Sequence, residues 1–125
     1  MTTKRVLVRD RVRRPPCSGF SWVDRRFLRE HADALSRNGL LLYLFLAAVS
    51  DKDGLSFWGD DRIGARLRLS AEAVVQARDE LVQRDLVVYA APLTQVLALP
   101  EPRVQRAGGA AERMGEILRR LRDGR

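Results

Sequence analysis

Apolar positions recur at helical spacing along most of the chain, and polar clusters separate the runs. Phe27, Leu28, His31, Ala32 and Leu35 fall on one stripe and predict a short amphipathic helix over 25–35. From Leu40 to Val49 nearly every side is apolar, which predicts a helix surrounded by protein. Ser36 is suited to cap that helix, while Asn38-Gly39 equally suits the end of the preceding one, so both boundaries stand open. Asp51-Lys52-Asp53-Gly54 reads as a turn, Leu55-Ser56-Phe57 is long enough only for a short strand, and Asp60 or Asp61 caps a further helix.

The next 26 residues, Arg62 to Val87, are the densest in pattern. Ile63 and Leu67 lie one helical turn apart, Leu69 plugs a turn, and Ser70 supplies a hydroxyl where a second helix must start. Val74, Ala77 and Leu81 form that helix's buried face. Val75 and Val82, seven apart, mark a second apolar edge, while Arg78 is expected outside the buried stripe. Two short helices joined by a tight turn predict a helix-turn-helix. Leu86 to Tyr89 and Thr94 to Leu99, flanking Ala90-Ala91-Pro92-Leu93, predict a hairpin after it.

Prolines and glycines divide the chain into an extended basic arm (1–19), a central domain (20–100), a linker (101–109) and an amphipathic basic helix (110–125). Phe20 and Trp22 are expected to pack back onto the domain. Met114, Ile117, Leu118 and Leu121 recur at helical spacing in the last segment and suit either a homodimer contact or packing on the chain's own domain. No internal repeat is present.

Charge follows the same divisions. The 125 residues carry Lys+Arg 23 and Asp+Glu 16, a net charge of +7. Residues 1–22 hold +5 of it, through Lys4, Arg5, Arg9, Arg11, Arg13 and Arg14 against Asp10; residues 23–100 hold −1 and residues 101–125 hold +3. Arginine-rich codon usage alone would not segregate charge in this way. Basic arms beside a neutral domain are a common electrostatic footprint of nucleic-acid binders. The longest apolar run is about half the ~20 residues of a membrane helix, and the N-terminus has no signal-peptide pattern, so the expected location is cytoplasmic with no membrane partner.

The run Ile63, Gly64, Leu67, Arg68, Leu69, Ser70, Ala73-Val74, Ala77, Leu81, Asp85-Leu86-Val87 resembles the winged-helix family of bacterial DNA-binding domains, which includes GntR-like and MarR-like regulators and plasmid replication initiators. The stretch from Phe20 to Leu99 also looks like small helix-turn-helix proteins of mobile elements. Arg68 stands where the family pattern has a turn glycine, Asp85 where it has the glycine before the first wing strand, and Arg78 where it has leucine. The two glycine positions are sites of positive φ, which Asp tolerates and Arg does so less readily.

The resemblance implies a mainly α fold with a small β-hairpin wing, and double-stranded DNA as partner. It implies that the N-terminal residues of the second helix enter the major groove, giving Ser70, Ala71, Glu72, Ala73 and Gln76 as readers. Gln76 suits adenine N6/N7, Glu72 suits cytosine N4, and Ala71 or Ala73 suits a thymine methyl. Arg62, Arg66, Arg68 and Arg84 are the implied phosphate contacts. From the charge distribution, Lys4, Arg5, Arg9, Arg11, Arg13 and Arg14 of the arm are expected to track phosphates or an adjacent minor groove. Glu72, Asp79 and Glu80 make the reading surface acidic, and the wing tip carries no cation. The alternative is a protein–protein adaptor whose arms hold nucleic acid without sequence preference.

Enzyme chemistry finds no support. His31, the single histidine, lies on an apolar stripe, where a packed role is expected, and no triad can be built around it. Asp51, Asp53 and Gly54 resemble a calcium loop, but its glycine and glutamate positions hold Ser56 and Arg62. Cys17 is the single cysteine and is expected to be an exposed bystander, so neither a disulfide within the chain nor a cysteine zinc site is available. Gly108-Gly109 lacks the strand and lysine of a phosphate loop. Trp22 and Trp58 are expected to be core aromatics. No cofactor, metal or small-molecule effector is indicated.

Overall fold

The computed structural model describes residues 4–101, so the expected dimer contacts Met114, Ile117, Leu118 and Leu121 lie outside the described residues. Four α-helices are present among the described residues: α1 (Arg25–Glu30), α2 (Arg37–Val49), α3 (Asp60–Leu67) and α4 (Ala71–Gln83). Three strands, β1 (Leu55–Ser56), β2 (Val87–Ala90) and β3 (Leu93–Val96), form an antiparallel sheet in the order β1-β3-β2. Gln95 of the central strand stands opposite both Leu55 and Val88.

Local chemistry accounts for most element ends. Asp24 caps α1 by accepting from the Arg26 N–H, and Ser36 caps α2 by accepting from the Gly39 N–H. Asp51 Oδ1 accepts from the N–H groups of Asp53 and Leu55, both at 2.9 Å, and so closes the turn before β1. Gly54 follows at φ +84°, where a Cβ would run into the Val96 carbonyl; the Val96 N–H donates to Gly54 O at 2.8 Å. Asp85 at φ +63° turns the chain from α4 into β2.

The core is one cluster. Leu42 and Leu46 of α2, Ile63 of α3, Val74, Ala77 and Leu81 of α4, and Leu86 and Val87 meet with almost no exposure. Truncating any of these leucines or Ile63 to Ala costs about 2–5 kcal/mol, because the surrounding packing only partly closes the void. This core fixes α3 and α4 against α2 and ties the hairpin to the end of α4.

Several expectations change. The stripe over 25–35 is not one helix: α1 stops at Glu30, His31 leaves helical geometry at φ −125°, and a tight 3₁₀ turn covers Ala32–Ala34. Leu28 is 73% exposed as a result. The α2 helix is not enclosed, since its buried face is Leu42, Tyr43, Leu46 and Ala47 while Leu41 and Leu44 face outward. Phe20 and Trp22 do not pack into the domain; they are 66% and 75% exposed. Val82 packs on the core, whereas Val75 is exposed. Arg78 is buried beside the apolar stripe, because Asp60 at the start of α3 receives its guanidinium and the Tyr89 ring covers it at 4.0 Å. Residues 4–19 are exposed throughout, with one 3₁₀ turn at Arg9–Arg11 where an extended arm is expected.

Candidate nucleic-acid interface

The turn between α3 and α4 is built from three residues that cannot be exchanged freely. Gly64 lies under the Leu69 carbonyl so closely that a Cβ would overlap it, and Leu69 N–H donates to Gly64 O at 2.9 Å. Arg68 ends α3 in the left-handed region at φ +61°, ψ +46°. Ser70 then caps α4, its Oγ accepting from the Ala73 N–H at 3.1 Å. The turn is tight because a glycine permits the approach and an arginine adopts the strained conformation.

This geometry fixes what α4 offers to solvent. Val74, Ala77, Arg78 and Leu81 point inward. Ser70, Ala71, Glu72 and Gln76 are exposed, and Ala73 is half-buried. Four of the five expected readers are therefore open at the helix start, and Ala73 is the least available. Val75 and Asp79 share the outward face with Glu72 and Gln76. Spacing from Glu72 at i+3 is the signal for Val75, the exposed member of the apolar edge it shares with Val82.

The acidity of α4 is lower than its sequence suggests. Glu80 is turned back toward the start of α2, where its carboxylate accepts from the Ser36 N–H at 2.9 Å and from the Ser36 hydroxyl at 2.5 Å. Asp60, ahead of the turn, is committed to Arg78. That leaves Glu72 and Asp79 as the carboxylates on the outward face.

Arg62, Arg66, Arg68 and Arg84 are all exposed, and none joins an ion pair among the described residues. Arg62 and Arg66 both lie over the Trp58 ring, at 4.4 and 5.6 Å from its centroid. Trp58 is half-buried and meets Phe45 edge-on at 4.9 Å. It is therefore both a packed aromatic and a support for two cations, the second of which sequence spacing did not reveal. Arg84 does not join this group. It ends α4, about 20 Å from Ser70 by the rise of the helix, and its charge acts instead on His31.

The basic side chains Lys4, Arg5, Arg9, Arg11, Arg13 and Arg14 are exposed. The first hydrogen bond tying that segment to the helices, among the described residues, runs from Ser21 Oγ to the Ala48 carbonyl at 3.2 Å. The hairpin end, Ala90 to Leu93, is exposed and carries no charge.

Other chemistry is sparse. His31 is buried with neither ring nitrogen hydrogen-bonded, and burial, aided by the Arg84 charge, holds its pKa below the usual 6.5. Cys17 is exposed. No metal-binding group of acidic, histidine or cysteine side chains occurs among the described residues, and no helix there is long and apolar enough to cross a membrane. A cleft of about 530 Å³ opens at the end of α2 between Trp22, Tyr43, Lys52, Gln95 and Leu99; no residue of α3 or α4 lines it. Compared with protein-family models, curated proteins and solved structures, the chain matches none.

Proposed function

We propose that the chain is a non-enzymatic, sequence-reading binder of double-stranded DNA with a winged-helix architecture. The observation that carries this reading is the start of α4. A Ser-capped helix projects Ala71, Glu72, Val75 and Gln76 outward, beside Arg62, Arg66 and Arg68, which join no ion pair among the described residues. The order β1-β3-β2 and the hairpin directly after α4 are compatible with that architecture. In it α4 enters the major groove, where Gln76 pairs with adenine N6/N7 and Glu72 accepts from cytosine N4. Arg62, Arg66 and Arg68 hold phosphates, and the arm from Lys4 to Arg14 adds cations that the hairpin end lacks. The role that fits is a transcriptional regulator, or an accessory DNA-binding factor of a mobile element.

Titrating a duplex into the isotopically labelled full chain tests this. Amide shifts concentrated at residues 62–76 are expected. Shifts confined to the basic arm would instead support an adaptor that holds nucleic acid nonspecifically. The exposed Leu28, Leu41 and Leu44 on α1 and α2 favour a protein contact for such an adaptor.

A further inference from the structure

We infer that Trp58 is the positioning residue of a two-arginine clamp for the phosphodiester backbone, formed with Arg62 and Arg66. This rests on the reading of the chain as a duplex-DNA binder and names one contact of that complex. Arg62 and Arg66 are four residues apart on α3, so their side chains are neighbours on one face and repel. No acidic side chain pairs with either among the described residues. Both guanidinium groups nevertheless lie over one indole, at 4.4 and 5.6 Å from its centroid.

The ring attracts each cation through its negative face, and that attraction offsets their repulsion. It does not neutralise them. Two cations gathered on one ring and ion-paired to no acid among the described residues present a concentrated positive site, and a phosphate with its charge-assisted acceptors is the ligand chemistry it suits. The support is fixed as well, because Trp58 is half-buried and set edge-on against Phe45 of α2 at 4.9 Å. Two long side chains whose freedom is already reduced lose less of it on binding. The clamp stands on α3, directly before the turn that presents α4, and so sets how α4 sits against the backbone.

Salt-dependent duplex binding by fluorescence anisotropy tests this on the full chain, comparing wild type, Trp58→Phe, Trp58→Leu, Arg62→Gln/Arg66→Gln and the triple variant with Trp58→Leu. The double glutamine variant should flatten the plot of log K against log salt by about 1.8, two phosphate contacts at about 0.9 each. Trp58→Leu should weaken binding about tenfold, Trp58→Phe should restore most of it, and Trp58→Leu should add nothing once both arginines are gone. Equal losses from Trp58→Leu with and without the arginines would overturn the clamp and leave a purely structural tryptophan. Should Trp58→Leu not fold, Trp58 emission in Trp22→Phe replaces it. Duplex should change that emission, and the change should vanish with Arg62→Gln/Arg66→Gln; unchanged emission at saturating duplex overturns the clamp. Wild type that binds no duplex overturns the DNA reading itself, and the clamp with it.

Discussion

Glu80 of α4 holds the start of α2 through Ser36. Its carboxylate accepts from the Ser36 N–H at 2.9 Å and from the Ser36 hydroxyl at 2.5 Å, while Ser36 Oγ accepts from the Gly39 N–H at 3.1 Å. A Cβ at Gly39 would stand 2.8 Å from Glu80 Oε1, so a side chain there would displace the carboxylate from Ser36. A carboxylate that raises the apparent acidity of α4 therefore serves as a structural cap. Glu80→Ala should cost about 1–2 kcal/mol in chemical denaturation and leave duplex affinity unchanged. Gly39→Ala should also destabilise, and much less so once Glu80 is alanine. Additive losses would show that the two residues do not act on each other.

Arg78 is a structural cation. Its side chain is 6% exposed against 32% for its Asp60 partner, and the Tyr89 ring covers the guanidinium. Removing it leaves Asp60 unpaired but partly solvated, so Arg78→Ala should cost about 2 kcal/mol, below the range of a fully buried pair. Arg78→Lys should recover little, since an ammonium lacks the planar fork and the ring stacking. Thermal unfolding measures both, and equal midpoints for wild type and Arg78→Ala would refute the assignment.

Arg68 separates stability from binding. An arginine in the left-handed region costs about 1–2 kcal/mol relative to ordinary backbone, and glycine carries no such penalty. Arg68→Gly should therefore raise stability by about 1 kcal/mol, while lowering duplex affinity and the salt slope by about 0.9. A variant that is more stable and binds equally well would remove Arg68 from the interface.

Acid should weaken the fold through His31. Its folded-state pKa lies below 6.5, so between that value and 6.5 the unfolded chain binds the extra proton. Stability is then complete above pH 6.5 and declines as pH falls through that window, by at most about 1.4 kcal/mol per unit. His31→Phe keeps a ring beside Phe27, whose centroid is 6.4 Å away, and should flatten the decline. Denaturation midpoints from pH 7.5 to 5 measure it; an equally steep decline in His31→Phe would place the proton elsewhere.

The legible features were those set by neighbours in the chain. Ser70 as a cap follows from side-chain chemistry within a turn, and Ser36 is one of two readings that local chemistry leaves open. Positive φ at Arg68 and Asp85 follows from the glycine positions of the resemblance rather than from their own side chains. The rest depended on partners far along the chain. Glu80 meets a residue 44 positions away and Arg78 one 18 positions away, so helical periodicity alone read both as solvent-facing. Periodicity also puts Leu28 on a buried stripe, and the all-round apolar run from Leu40 to Val49 predicts Leu41 enclosed, because an apolar pattern does not say whether anything covers it. The start of α4 was found as a segment, but its orientation and the indole beneath Arg62 and Arg66 required the packing of α2 against α3.

The central claim is that α4 reads base sequence. The most direct measurement is selection of bound duplexes from a randomised library by the full chain and by Gln76→Ala, with sequencing of the bound fraction. An enriched motif is expected, and Gln76→Ala should relax preference at an adenine by about 1–3 kcal/mol while other positions hold. A bound fraction as random as the input, or a motif indifferent to Gln76→Ala, would contradict it.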